Sequence, residues 1–299
     1  MGNIIAFWNV GSKLTEDSGI FGCSANGFST EEKCASPNIS AFSVWDPVLP
    51  GEVLKGSYNS VPESLSRLSF TPQIAIVLFN KAEGFELFLK RVSALLPATA
   101  FIGGGAAFST KIPQGELLPD AADVCVLAVP EGNYQIETLN IYEDTKRHLV
   151  FEPASLREIA RVRELPNGRW QNAISYYRSI QTELEIEPDN FEKLCFCDKN
   201  RRNLHCSIRN GNLFAGANLP ENNLLSLNLI SREKASDKLR EFMRSSDSLI
   251  FGCAGIRSLV DEPFFTGKRS LAGFMFGEIV TCGKKAELGN LMLTKLKIV

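Results

Sequence analysis

The chain has 299 residues, 44% hydrophobic and 22% charged, with a formal net charge of −2. That length suits two domains of roughly 100–200 residues, and the balance is that of ordinary globular proteins. A near-neutral chain without a Lys/Arg-rich run lacks a phosphate-binding stripe, which argues against nucleic acid, and no apolar run approaches the ~20 residues of a membrane helix.

The start, "MGNIIAFWNVG", has no charged region followed by an apolar core and cleavage site, so no signal peptide is expected, and Ala6 stands where a myristoylation pattern needs Ser or Thr. The end, "KLKIV", has no prenylation cysteine. Eight cysteines without an export signal read as reduced thiols in a cytoplasmic compartment, and only two histidines, His148 and His205, are available as partners.

In chain order, "NIIAFW" and Ile20–Cys23 read as apolar strands, the second running into small residues up to Gly27. Gln73–Phe79 is a strand, and Phe85, Phe88, Leu89, Val92, Leu95 and Leu96 form the stripe of an amphipathic helix. A strand then runs into Gly103–Gly105, and Asp123–Val129 and "YQIETLNIY" follow as strands. The polar stretch "YEDTKRHLVFEPAS" marks a junction around residues 146–153, dividing the chain into 1–148 and 149–299. Helices are expected over "SLREIARVRE", on Leu156, Ile159 and Ala160, and over "RWQNAISYYRSI", on Trp170, Ala173, Ile174 and Tyr177. Strands follow at "KLCFC", "LHCSI" and "NLLSLNLI", with Asn210-Gly211 as a two-residue hairpin turn. The helix "REKASDKLREFM" has Ser231 in position to cap it, and "SLIFGC", "LAGFMFG" and "LGNLMLTKLKI" close the chain as strands. The class is α+β, with mixed, largely antiparallel sheets flanked by helices, in a layered helix–sheet–sheet–helix arrangement with internal repeats.

The repeat is the most informative feature. "GIFGCSANGFSTEEKCASPNISAFSVW" aligns with "TAFIGGGAAFSTKIPQGELLPDAADVCVLAV". Each has an apolar strand, a small-residue turn (Gly22 to Ala25 against Gly103 to Ala106), Phe-Ser-Thr, a polar loop and another strand. The first copy is abridged, lacking the helix that precedes the second.

These motifs resemble the FIST module, an intracellular sensory domain of bacterial signalling proteins and of a eukaryotic F-box ubiquitin-ligase subunit. Residues 1–148 are similar to its first part, with "GCS" and "GG" turns after strands. Residues 149–299 resemble its second part in five ordered pieces: "VRELPNGRWQNAISYY", "LHCSIRNGNLFAGANLPENNLLSL", "LIFGCAGIR", "LAGFMFGEI" and "LGNLMLT". The chain departs from the pattern at Ile256, which displaces Arg257 by one place, at Gly289, where the family has histidine, and after Pro220, where a glycine is missing. The resemblance implies a sensory protein that binds amino acids or related metabolites and signals through a separate partner, without cofactor or metal. It implies a pocket at Cys23, Ser24, Gly103, Gly104, Gly105, Cys253, Gly255, Arg257, Gly277, Glu278 and Asn290.

The residues themselves leave alternatives open. Cys253, at a strand end facing free N–H groups, suits a nucleophile or sensor, but a small buried hydrophobe would fill the same corner. Cys23 is more simply structural, since Gly104 stands at its place in the second repeat. The glycine triplet fails the dinucleotide fingerprint, with Phe108 where the third glycine belongs, so close backbone packing or a ligand-lining turn is expected. Cys195, Cys197, His205 and Cys206 could supply zinc donors, but their spacing and alternation favour plain strands. Glu278 could accept from a ligand amine or guanidinium, or pair with Arg257 to fix the turn; Asn290 could bind ligand or pin the last strand. An interaction module docking a partner peptide is the second functional reading, and a Cys253-dependent enzyme the third, since no base, triad or metal set is apparent.

Overall fold

A computed structural model describes residues 2–9, 20–35, 41–107, 115–187, 193–256, 265–282 and 285–299, which form four helices and 23 strands. The chain begins with β1 (Gly2–Asn9), β2 (Ile20–Ala25), β3 (Phe28–Ser29), β4 (Cys34–Ala35), β5 (Phe42–Pro50) and β6 (Glu52–Gly56). Next come α1 (Ser60–Ser66), β7 (Ile74–Phe79), α2 (Phe85–Leu95), β8 (Ala100–Gly105), β9 (Leu117–Leu118), β10 (Val124–Val129) and β11 (Tyr134–Asn140). The middle comprises β12 (Glu143–Pro153), β13 (Glu158–Glu164), β14 (Gln171–Asn172), α3 (Ala173–Glu183), β15 (Leu194–Cys197) and β16 (Asn203–Leu204). Then follow β17 (Cys206–Arg209), β18 (Asn212–Ala215), β19 (Leu224–Leu229), α4 (Arg232–Met243), β20 (Ser248–Cys253), β21 (Leu271–Cys282), β22 (Lys285–Leu288) and β23 (Met292–Ile298). The class is α+β with mixed, largely antiparallel sheets. Among the described residues no helix is long and apolar enough to cross a membrane.

The largest sheet has the main path β11-β23-β20-β21-β8-β7-β10-β6 and reads the same from either end. β7 lies parallel to β8 and antiparallel to β10, which is antiparallel to β6. Likewise β20 lies parallel to β21 and antiparallel to β23, which is antiparallel to β11. The two units meet where β8 and β21 pair antiparallel. A smaller sheet, β5-β1-β2-β9, repeats the motif, with β1 parallel to β2 and antiparallel to β5. Parallel neighbours cannot be joined by a tight hairpin, and α2 provides the crossover between β7 and β8.

Burial explains why β7 and β10 read as unbroken apolar runs. Ala75, Val77, Phe79, Val124 and Val126 face a core containing α1 and α2. Ile74, Ile76, Leu78, Cys125, Leu127 and Val129 face the opposite core, shared with Ile5, Phe7 and Trp45 of the smaller sheet. α4 covers the β20–β21 unit through Ala235, Leu239, Phe242 and Met243 against Ile250, Phe274 and Leu293. The third sheet, β16-β15-β19-β12-β13-β18-β17, carries α3, with Tyr177 edge-on to Phe196. Residues 148 and 149, at the sequence-derived junction, are consecutive in β12, and the largest sheet draws strands from both sides of it.

Three local expectations are corrected. "SLREIARVRE" is not a helix: Leu156 is exposed, and residues 158–164 are β13. A bulge makes Phe151 face Val162 and Pro153 face Ile159, so the two buried residues fall three apart and imitate helical spacing. The small-residue segments at Gly22–Ala25 and Gly103–Gly105 are strand ends in β2 and β8, not turns. Ser231 sits at the start of α4 without a side-chain cap bond, and its carbonyl accepts from Ala235 N instead. The Asn210-Gly211 hairpin has positive φ at both residues, as its sequence requires.

Candidate functional site

The junction of the two units assembles a corner from residues far apart in sequence. Antiparallel pairing sets Phe276 against Gly105, Glu278 against Gly104 and Ile279 against Gly103, with a bulge at Gly277, whose φ is +75°. In a regular strand Glu278 would share a face with Phe276, which is solvent-exposed. The extra residue reverses the alternation and turns Glu278 inward, where it is fully buried.

The inward carboxyl is half satisfied. Its Oε1 accepts from Met292 N at 2.7 Å, and its backbone carbonyl from Gly289 N at 2.8 Å. Oε2 is buried without a hydrogen-bond partner. Burial raises the acid to about 7, opposed by the Glu278 and Met292 N–H groups and the Cys253 thiol. Cys253, the last residue of β20, interacts with this carboxyl. Burial, reinforced by Glu278, pushes its thiol up, against the N–H groups of Leu291 and Gly255. Such a thiol is a poor nucleophile at neutral pH. Cys253, Gly255, Gly277 and Asn290 are each partly exposed, so the corner reaches the surface, and the Asn290 side-chain oxygen is also buried without a partner.

The structure thus brings together Cys253, Gly255, Gly277, Glu278 and the backbone beside Asn290. The glycine triplet lies alongside, but its role there is close packing. A Cβ on Gly103 would overlap the Val77 carbonyl, one on Gly104 would lie 2.9 Å from the Gly277 carbonyl oxygen, and one on Gly105 would overlap that of Phe276. Cys23 is fully buried, its thiol pushed well up by burial and then by Cys125. Ser24 is consumed by structure: its hydroxyl donates to the Ala107 carbonyl and accepts from Glu116 N. Arg257 lies outside the described residues. Cys195, Cys197 and Cys206 are buried strand residues, and among the described residues no group of three or more His, Cys, Asp or Glu could hold a metal.

A groove elsewhere in the molecule carried no sequence signal. It has a volume of about 690 Å³ and opens between α2, the Asp198–Arg202 turn, the loop after β18 and β22. Leu89, Ala94, Leu219, Ala286 and Leu288 give it apolar lining. The turn folds around Asp198, whose carboxylate accepts from Asn200 N, Arg202 N and Arg202 Nε, a buried ion pair. Arg202 Nη2 donates to the Asn218 carbonyl, and Glu287 Oε2 lies 3.3 Å from Nε without a hydrogen bond. At one end, Glu86 of α2 pairs with Arg157 and accepts from Asn218 N, tying the two halves of the chain.

No family model matches the chain, and no curated protein matches it.

Proposed function

We propose that the protein is a small-ligand-binding sensory protein of the FIST type, recognising an amino acid or related amine at the Cys253–Glu278 corner and signalling through a separate partner. The observation that carries this reading is Glu278 Oε2, a buried acceptor that makes no hydrogen bond, with only the Cys253 thiol acting on the carboxyl from that side. An unpaired buried carboxyl oxygen is costly, and a ligand ammonium would satisfy it with a charge-assisted hydrogen bond. Gly255 and Gly277, both partly exposed, keep side chains out of the corner. The depressed acidity of Cys253 favours binding over nucleophilic catalysis. The seven free thiols among the described residues suit a reducing, cytoplasmic setting.

A thermal-shift screen against the amino acids and simple primary amines tests this. At least one is expected to raise the melting temperature of the wild type and to lose that effect in Glu278→Gln, which keeps an acceptor for Met292 N but no anion. No shift with any of them at millimolar concentration counts against the reading.

A further inference from the structure

The groove beside α2 is lined by the buried Arg202 and by Glu287, and it stands apart from the corner reading. We propose that it docks the C-terminal end of a polypeptide, with Arg202 taking the terminal carboxylate, Glu287 a backbone N–H, and Leu89, Leu219 and Leu288 the last side chains.

Arg202 is buried and held rigidly. Its Nε is spent on Asp198 and its Nη2 donates to Asn218, while Nη1 makes no hydrogen bond among the described residues. A guanidinium fixed in this way offers Nη1 to a carboxylate as a charge-assisted donor. Beside it, Glu287 Oε2 is buried 3.3 Å from Arg202 Nε, an ion-pair contact that leaves it without a hydrogen bond. Acid and amide N–H together are what a peptide terminus offers; a fatty acid would fill the first need and leave the second. Charge agrees. Lys90, Lys199, Arg202 and Lys285 line the groove against Glu86, Asp198, Glu221 and Glu287, but Glu86 is already neutralised by Arg157 from outside that set. Lys199 and Lys285 pair with no carboxylate among the described residues, so the lining has room for one more anion. Size agrees: at about 30 Å³ per water, the groove of about 690 Å³ holds roughly twenty waters. That is the volume of several residues.

The test is fluorescence anisotropy with a pool of dye-labelled tetrapeptides ending in Leu, Val or Phe, each made with a free carboxylate and as the C-terminal amide. The free acids are expected to bind, and the amides at least tenfold more weakly. Lys285→Glu, at an exposed position, is expected to weaken binding severalfold while melting like the wild type, which avoids reliance on Arg202→Ala, a variant that strands buried Asp198. Glu287→Ala, which removes the acceptor, should also weaken binding, and Glu278→Gln should leave it unchanged, separating this proposal from the corner. Equal binding of acids and amides, no binding at millimolar peptide, or displacement of the peptides by equimolar hexanoate would each overturn it.

Discussion

Replacing Glu278 with Gln should remove a pH dependence of stability that the wild type carries between about pH 4.5 and pH 7. Burial raises the carboxyl from 4.5 to about 7 in the folded state. Between those values the native protein binds more protons than the unfolded chain, so stability from this group is fully present below 4.5 and declines as pH rises. At ~1.4 kcal/mol for each pH unit, the loss is about 3 kcal/mol by neutral pH. Gln cannot ionise and retains the acceptor for Met292 N. Urea unfolding of both proteins at pH 5, 6, 7 and 8 reads the effect, because every other titrating group cancels in the difference. The variant should gain on the wild type steadily up to pH 7 and level off above it. A difference that stays constant with pH would refute the burial argument. An amine ligand at Oε2 would favour the ionised form, so its affinity should rise over the same interval.

Four further substitutions probe the fold, each measured by equilibrium unfolding. Gly105→Ala drives a methyl into the Phe276 carbonyl and the Phe79 ring and should cost about 3 kcal/mol or prevent folding; Gly211→Ala, where a Cβ meets nothing within 4 Å, should cost only the ~1 kcal/mol of a positive φ. Phe85→Ala removes a fully buried ring stacked 3.6 Å from Phe79 and should cost about 3–5 kcal/mol. Asn172→Ala deletes the side chain that accepts from Ile174 N and Ser175 N at the start of α3, a loss of about 1 kcal/mol.

Helices α2 and α4 were legible because each buries one unbroken stripe, and β7 and β10 because both their faces are covered. β13 was not, since a bulge one residue long converts strand alternation into helical spacing. Glu278 was legible as a buried acid because it sits among apolar residues beside a glycine. That it would lie half satisfied against Cys253 was not, because that depends on the bulge at Gly277 and on the return of β23. Trp170 shows a milder form of the same limit. It lies on the expected stripe yet stands before α3, its ring covered by the guanidinium groups of Arg161 and Arg163. The groove was invisible because its walls come from four segments between residues 86 and 288, each ordinary by itself.

The tetrapeptide Ile-Phe-Gly-Cys occurs twice, at Ile20–Cys23 and Ile250–Cys253, and the topology shows that the two copies are not equivalent. Ile20–Cys23 lies in β2, the second of a parallel pair, whereas Ile250–Cys253 ends β20, the first of its pair. The two cysteines are therefore not counterparts. The strand matching β2 and β8 in the third unit is β21, "LAGFMFGEIVTC", so the counterpart of the glycine triplet lies near the Gly277 bulge. This is why the two glycine-bearing segments meet: they are equivalent strands paired across the centre of a sheet that reads alike from both ends. At that centre the last three residues of β8 are glycines, and they face Phe276, Glu278 and Ile279 of β21 across the Gly277 bulge. The corner carboxyl thus arises where one unit breaks the pattern the other keeps. A second strand without the bulge would place that residue on the face of Phe276, exposed to water and with no need of a ligand.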